Sequence, residues 1–204
     1  MIIGLSRERK NPPDNRVALS PIQCLALQQR YPQISVIVES SPTRCFSDAA
    51  YQEVGIKVVE DLQTADIILN IKELPADSLI PNKTYFFFSH TIKKQPRNEA
   101  LLKAILAKSI RLIDYELLKN PAGERVVAFG RWAGVVGAYN AFWTYGRKSG
   151  LYELRRASAC KDLEDLKVEL RKVALPPIKI CVTGRGRAGK GVLEILEILV
   201  MTFV

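Results

Sequence analysis

One six-residue stretch constrains this chain more than any other. Gly184-Arg185-Gly186-Arg187-Ala188-Gly189 follows the apolar run Ile178-Lys179-Ile180-Cys181-Val182-Thr183 and precedes a helix-patterned segment at 192–199. G-x-G-x-x-G between a strand and a helix is the arrangement that binds dinucleotides. The first glycine permits a tight turn, the second lets backbone approach a pyrophosphate, and the third lets the helix pack closely on the strand. Unpaired N–H groups at the helix N-terminus then face the phosphates. The stretch also fits G-x-x-x-x-G-K, but Gly191 stands where that loop needs a Ser or Thr hydroxyl for Mg²⁺. The dinucleotide reading therefore ranks first, and a glycine turn without a ligand is the plain structural alternative.

Upstream, apolar runs of strand length alternate with helical patterns. Residues 2–5, 34–38, 56–59, 67–69, 85–88 and 110–113 are rich in branched and aromatic side chains and predict strands. Residues 21–30, 48–53 and 97–108 predict helices, the first with Ser20 as N-cap and Pro21 at the opening position. This alternation predicts an α/β fold with mostly parallel sheets. Asn120-Pro121-Ala122-Gly123 predicts a turn, 126–129 a further strand and 130–146 a long buried helix. The boundary between two domains is expected near Gly130–Trp132, with a first domain over 1–130 and a second over 131–204. The second is expected to be an incomplete Rossmann domain, because the acidic residue that grips an adenosine ribose lies about 20 residues beyond such a motif. NAD and NADP are therefore both open. The apolar ending Leu199-Val200-Met201-Thr202-Phe203-Val204 is expected to be a strand edge that needs a partner.

Bulk properties narrow the classes. An apolar fraction of 48% with 25% charged residues is that of a globular protein. No apolar run reaches bilayer length and the N-terminus does not read as a signal peptide, so the cytoplasm is the expected compartment and no membrane partner is expected. Four cysteines and one histidine build no zinc spacing, so no metal is expected. The cysteines are read as reduced and mostly structural. The net charge of +9 is concentrated between Arg147 and Lys190, where twelve Lys/Arg face five Asp/Glu. That stretch lacks the interleaved aromatics that stack bases, so attraction of anionic small molecules is favoured over nucleic acid. Lys161 to Lys172 mixes both signs at helical spacing and is read as a solvated face.

Two predicted strands end in titratable side chains. His90 closes Tyr85-Phe86-Phe87-Phe88-Ser89, and Lys72 closes Ile67-Ile68-Leu69-Asn70-Ile71. Ligands of open α/β sheets bind at such carboxyl ends. A histidine moves protons in either direction near neutrality, and a desolvated lysine can act as a base. The competing reading is a histidine bonded to backbone and a lysine reaching solvent. Arg16, in the loop before the first helix, is suited to clamp a carboxylate; its alternative is an ion pair with Asp14 or Glu8. Glu116 and Arg125 flank the Asn120–Gly123 turn and could pair with each other or with the two ends of an amino acid.

The blocks Lys83 to Gln95 (KTYFFFSHTIKKQ), Ile110 to Glu116 (IRLIDYE) and Arg125 to Gly134 (RVVAFGRWAG) resemble the lysine–2-oxoglutarate reductase and saccharopine dehydrogenase family. The pattern around Arg7–Pro21 is similar, more distantly, to alanine dehydrogenases and the transhydrogenase alpha subunit. Ser89-His90-Thr91 and Val127-Ala128-Phe129-Gly130 are the most specific parts. The resemblance implies two Rossmann-like domains, the first binding substrate and the second NAD or NADP. It implies the interconversion of L-lysine, 2-oxoglutarate and NAD(P)H with saccharopine and NAD(P)⁺. On that likeness Lys72 and His90 are the acid–base pair, Arg16 and Arg125 hold carboxylates, and Glu73 and Glu116 tune the site or hold the substrate's ammonium. Lys10 and Lys93 are weaker candidates of the cationic kind, and Gly184, Gly186 and Gly189 bind the cofactor. An alanine dehydrogenase and a non-catalytic module that binds substrate are the alternatives. A homo-oligomer or a partner chain is open, and the 204-residue chain alone is expected to turn over little.

Overall fold

A computed structural model describes residues 1–11 and 14–199. The chain divides into two compact units, Met1–Val127 and the part from Ala128 onward.

The first unit is built on six strands: β1 (Ile2–Leu5), β2 (Ser35–Glu39), β3 (Lys57–Val59), β4 (Ile67–Lys72), β5 (Thr84–Phe88) and β6 (Arg111–Asp114). They form one all-parallel sheet in the order β3-β2-β1-β4-β5-β6. The inner strands are mainly apolar because helices cover both faces of the sheet, while the edge strands β3 and β6 each begin on an exposed charged residue, Lys57 and Arg111. Helices α1 (Pro21–Arg30) and α2 (Asp48–Glu53) belong to one face. There Cys24 and Tyr51 meet Leu5, Val36 and Val38. Helix α3 (Glu99–Ala107) belongs to the other, where Leu101 and Ile105 meet Ile37, Ile68, Tyr85 and Phe87. Val36 and Val38 on one face and Ile37 on the other display the two-residue period of a strand.

Local chemistry sets the helix ends. Ser20 and Gln23 form a capping box at α1, with Pro21 inside the first turn. Helix α3 begins at Glu99 rather than at 97, because Pro96–Asn98 form a tighter 3₁₀ turn first. Strand β4 runs past the expected 69 to Lys72. Pairing with β5 shifts between Leu69↔Phe86 and Lys72↔Phe88, so β4 carries one extra residue, a bulge. The sheet order reverses between β1 and β4, the crevice where α/β sheets of this order take ligands.

The second unit holds helices α4 (Gly130–Ser149), α5 (Leu163–Leu170) and α6 (Arg187–Ile198). They share a core of Val135, Ala138, Tyr139, Phe142, Leu154, Leu166, Leu170, Ile195 and Leu196. Helices α4 and α6 approach until backbone meets backbone. A Cβ on Gly134 would lie 2.0 Å from the Ala188 carbonyl oxygen, and one on Gly191 would lie 2.1 Å from that of Arg131.

Several expectations are corrected here. The expected strand at 126–129 is absent. Val126 is 63% exposed, and its N–H is spent on the Leu118 carbonyl in a tight hairpin around the Asn120–Gly123 turn. The run at 178–183 forms no ladder, and no strand lies beside it among the described residues of this unit. Helix α4 is not buried all round: it buries one face, while Trp132 and Val136 stay exposed. The charged stretch 161–172 is not wholly solvated, since Glu169 is buried and paired with Arg155 and Lys172. Of the cysteines, Cys24 lies fully in a core while Cys45 and Cys181 are exposed. The expected strand edge from 200 onward lies outside the described residues. No described helix is long and apolar enough to cross a membrane.

Candidate active site at the strand tips

In the first unit the tips of β1, β4, β5 and β6 gather nearly all the candidate residues. The loop after β1 is fastened first. Glu39, buried at the end of β2, accepts from Ser6 Oγ at 3.1 Å, from the Arg7 backbone N–H at 3.0 Å and from the Arg9 guanidinium. This directs Glu8 toward β4, where its carboxylate accepts the backbone N–H of Ile71 at 2.7 Å and of Lys72 at 3.2 Å. These are the groups that the bulge releases from the ladder. Burial pushes the Glu8 carboxyl up to about 7, against the lowering effect of the two N–H groups; Asp14 adds to the rise and Arg16 opposes it.

Lys72 ends β4 level with Phe88 on β5. His90 follows two residues later in a left-handed backbone conformation, φ +56°, and its ring stacks on that of Phe88 with centroids 6.5 Å apart. Glu73 pairs with Lys10. Burial would raise the Glu73 carboxyl, but the Lys10 bond and the charges of Lys10 and His90 outweigh it and hold the group below its ordinary range. The second oxygen of Glu73, Oε2, is buried without a hydrogen-bond partner. Glu116 stands in the single 3₁₀ turn Tyr115–Leu117 after β6. Its Oε1 lies 3.2 Å from Lys93 Nζ and 3.8 Å from Arg125, and its Oε2 is likewise buried without a partner. Glu116 and Arg125 thus face each other, one of the two arrangements left open above. Arg16 bonds Asp14 through Nε at 2.9 Å and through its backbone N–H at 3.1 Å, the ion-pair alternative, with Glu8 close enough to stabilise its charge. The Asp14 carboxyl is lowered first by the Arg16 side chain, and Lys72 contributes.

An aromatic cluster adjoins the His90 ring through Phe88. Tyr115 lies 5.3 Å from Phe88 and 6.0 Å from Phe86 between centroids. Its hydroxyl is pushed upward by burial and then by the charge of Glu8. Glu8, expected from the sequence only as an ion-pair alternative for Arg16, also stands at these strand tips and holds the backbone of Ile71 and Lys72. The signal was present: a charged residue just beyond a buried strand, the position that singled out Lys72 and His90.

In the second unit, Gly184 has φ +85° and Gly186 caps the N-terminus of α6. A Cβ at Gly189 would lie 2.2 Å from the Gly184 carbonyl oxygen, whereas one at Gly186 would meet nothing within 4 Å. The first and third glycines are thus needed by the fold, and the middle one leaves space. Arg185, Arg187 and Lys190 surround this helix start and no acidic residue lies in its first turn. A hollow of about 450 Å³ in this unit is apolar, lined by Ala141, Phe142, Ile180, Val182 and Val192 among others. It holds none of the candidate acid–base groups.

Comparison with known proteins identifies relatives of the chain in sequence and in fold. The chain is similar to the mitochondrial alpha-aminoadipic semialdehyde synthase of Bos taurus, 34% identical over 221 residues that cover all of this chain and 24% of that protein. It is 30% identical to the saccharopine dehydrogenase [NAD(+), L-lysine-forming] of Emericella nidulans over 208 residues, 94% of this chain and 55% of that one. The chain therefore spans about a quarter of the first kind of relative and about half of the second. In fold it matches an L-alanine dehydrogenase with TM-score 0.68 at 18% identity, covering 97% of this chain and 52% of that one. It also matches the transhydrogenase from Sinorhizobium meliloti with TM-score 0.62 at 17% identity, covering 96% and 62%. Residues 4–136 match the family model described as alanine dehydrogenase/PNT, N-terminal domain, and the chain belongs to that family.

Proposed function

We propose that the first unit binds the substrates of a lysine-metabolising oxidoreductase and supplies its acid–base groups. The reaction is L-lysine + 2-oxoglutarate + NAD(P)H + H⁺ ⇌ saccharopine + NAD(P)⁺ + H₂O. The observation that carries this reading is the pair of buried, unpartnered carboxylate oxygens: Glu73 Oε2, on the residue next to Lys72 and within electrostatic reach of His90, and Glu116 Oε2, on the residue that faces Lys93 and Arg125. Buried acceptors without donors are rare in folded proteins. Here they suit the ammonium groups of a dibasic amino acid, which a small neutral side chain such as alanine's would leave unmet.

The side chains divide the work. Arg16 and Arg125 take the carboxylates of the 2-oxoglutarate part, exchanging their internal partners for the ligand. Glu73 and Glu116 hold the lysine ammonium groups. Lys72 and His90 move the protons that carbinolamine formation and dehydration require, one taking a proton from the attacking amine and one giving a proton to the departing hydroxyl. Gly184, Gly186 and Gly189, with the N–H groups at the start of α6, suit the pyrophosphate of NAD or NADP. The nicotinamide group, when bound, supplies the hydride that reduces the imine.

Calorimetric titration of the chain with 2-oxoglutarate, lysine and saccharopine tests the reading. Saturable binding of saccharopine, weakened at least tenfold in Arg16→Ala, is expected. Binding of pyruvate or alanine in preference to all three would assign the chain to the alanine dehydrogenase reaction instead. Absence of binding by any of these ligands would refute the reading.

A further inference from the structure

Two of the groups assigned above, His90 and Glu116, lie on different loops, and one buried side chain touches the backbone that carries each. Asp114 closes β6, is 7% exposed, and is level with Phe87 of β5. Its Oδ2 accepts the Ser89 backbone N–H at 3.2 Å and the Ser89 hydroxyl at 2.6 Å. Its Oδ1 accepts the Glu116 backbone N–H at 2.8 Å. Ser89, itself fully buried, passes the constraint along: its Oγ lies 2.8 Å from Thr91 Oγ1 and accepts the Thr91 N–H at 3.1 Å. His90 thus sits between two anchored neighbours. On its other side the buried Asn98 donates to the His90 carbonyl at 3.2 Å.

We propose that Asp114 is a positioning residue that fixes His90 and Glu116 relative to one another, without itself meeting a substrate. This rests on the reading that His90 and Glu116 serve one site. Two features say why a carboxylate stands there. A histidine at φ +56° is in a region that L residues with side chains rarely adopt, and it persists only when its surroundings hold it. The donors converging on Asp114 come from two sides, and only a group with two acceptor oxygens satisfies both. Asparagine has the same shape but one acceptor. In Asp114→Asn the amide NH₂ must face either the Ser89 donors or the Glu116 N–H, so one branch breaks. In Ser89→Ala the backbone N–H keeps its bond to Asp114, but the hydroxyl bond to Asp114 and both contacts with Thr91 are lost, so the His90 branch loosens while the Glu116 branch is untouched.

The test uses the whole chain and needs no turnover. His90 is the sole histidine, so its two carbon-bound ring protons give the only imidazole signals in a ¹H–¹³C spectrum. Stacking on Phe88 shifts those signals through the aromatic ring current. At a fixed pH, Ser89→Ala is expected to move them toward the position of a free histidine while the Glu116 amide keeps its hydrogen-exchange protection. Asp114→Asn is expected to disturb the imidazole signals, the Glu116 amide or both. Ile56→Ala, in the core on the opposite face of the sheet, serves as a destabilised control and is expected to leave both signals in place. Imidazole signals unchanged in Ser89→Ala, or moved as far in Ile56→Ala, would overturn the proposal, and Ser89→Ala decides it should Asp114→Asn fail to fold. Saccharopine affinity is expected to fall severalfold in Ser89→Ala. If the parent chain binds no saccharopine, the assigned function fails while the imidazole spectra still decide the role of Asp114.

Discussion

The carboxylate of Glu8 accepts the backbone N–H of Lys72 at 3.2 Å, tying the loop after β1 to the tip of β4 across the point where the sheet order reverses. The same carboxylate takes the Ile71 N–H at 2.7 Å. The position of Lys72 is therefore set by a side chain from another strand as well as by its own ladder.

That arrangement has a pH signature. Because burial lifts Glu8 from 4.5 to about 7, the folded protein holds this proton more tightly than the unfolded chain does. Over that window the folded state binds more protons, so Glu8 lowers stability as pH rises from 4.5 through about 7. Glu8→Gln removes the effect. Urea unfolding of both proteins across this window is expected to show a stability difference that shifts in favour of Glu8→Gln as pH rises, and a difference independent of pH would contradict the assignment.

Glu169 in the second unit carries the opposite sign. The Arg155 backbone N–H, then Lys172 and the Arg155 side chain, hold its carboxyl down at about 2, against burial. Its contribution is present above 4.5 and is lost as pH falls toward 2. Replacing it with alanine leaves Lys172 and the Arg155 N–H without their buried acceptor and is expected to cost about 1–3 kcal/mol at neutral pH. The loss is measured by denaturant unfolding and is expected to shrink on acidification.

Glycines in α4 are not equivalent. Gly134→Ala drives a methyl into the Ala188 carbonyl and is expected to destabilise by about 1–3 kcal/mol. Gly137 sits in the same helix with nothing within 4 Å of a Cβ, so Gly137→Ala is expected to stabilise by about 0.5–1 kcal/mol through helix propensity. Equal effects of the two substitutions on the thermal midpoint would show that α4 and α6 are not in the contact described.

Substitution of the middle glycine of the motif is expected to separate stability from the proposed cofactor binding. A methyl at Gly186 meets nothing within 4 Å, so Gly186→Ala is expected to leave the melting temperature unchanged and to weaken NADH or NADPH binding at least tenfold, read by fluorescence titration. Unchanged affinity for a cofactor that the parent chain does bind would remove Gly186 from the site.

The sheet was legible because its inner strands are buried on both faces and read as apolar runs. Ser20-Pro21 marked α1 for an equally local reason. What failed was segments whose state depends on a neighbour. Residues 126–129 and 178–183 have strand composition but no strand beside them among the described residues, and composition cannot report a partner. Glu169 looked solvated because helical spacing of charges does not reveal that Arg155, fourteen residues away, turns back onto it. Lys72 and His90 were singled out by position, and Lys72 does end β4 while His90 stands two residues past the end of β5. Glu8 and Asp114 were passed over because they act through backbone N–H groups, which leave no trace in side-chain type.

The central claim is that the strand tips of the first unit, with His90 among them, bind a substrate carrying carboxylates and ammonium groups. The most direct measurement is a titration of the chain with saccharopine followed on its single imidazole in ¹H–¹³C spectra. The account predicts a saturable displacement of the His90 signals that is abolished in Arg16→Ala and retained in Gly186→Ala. Imidazole signals that stay fixed up to millimolar saccharopine, in a chain shown to be folded, would contradict it.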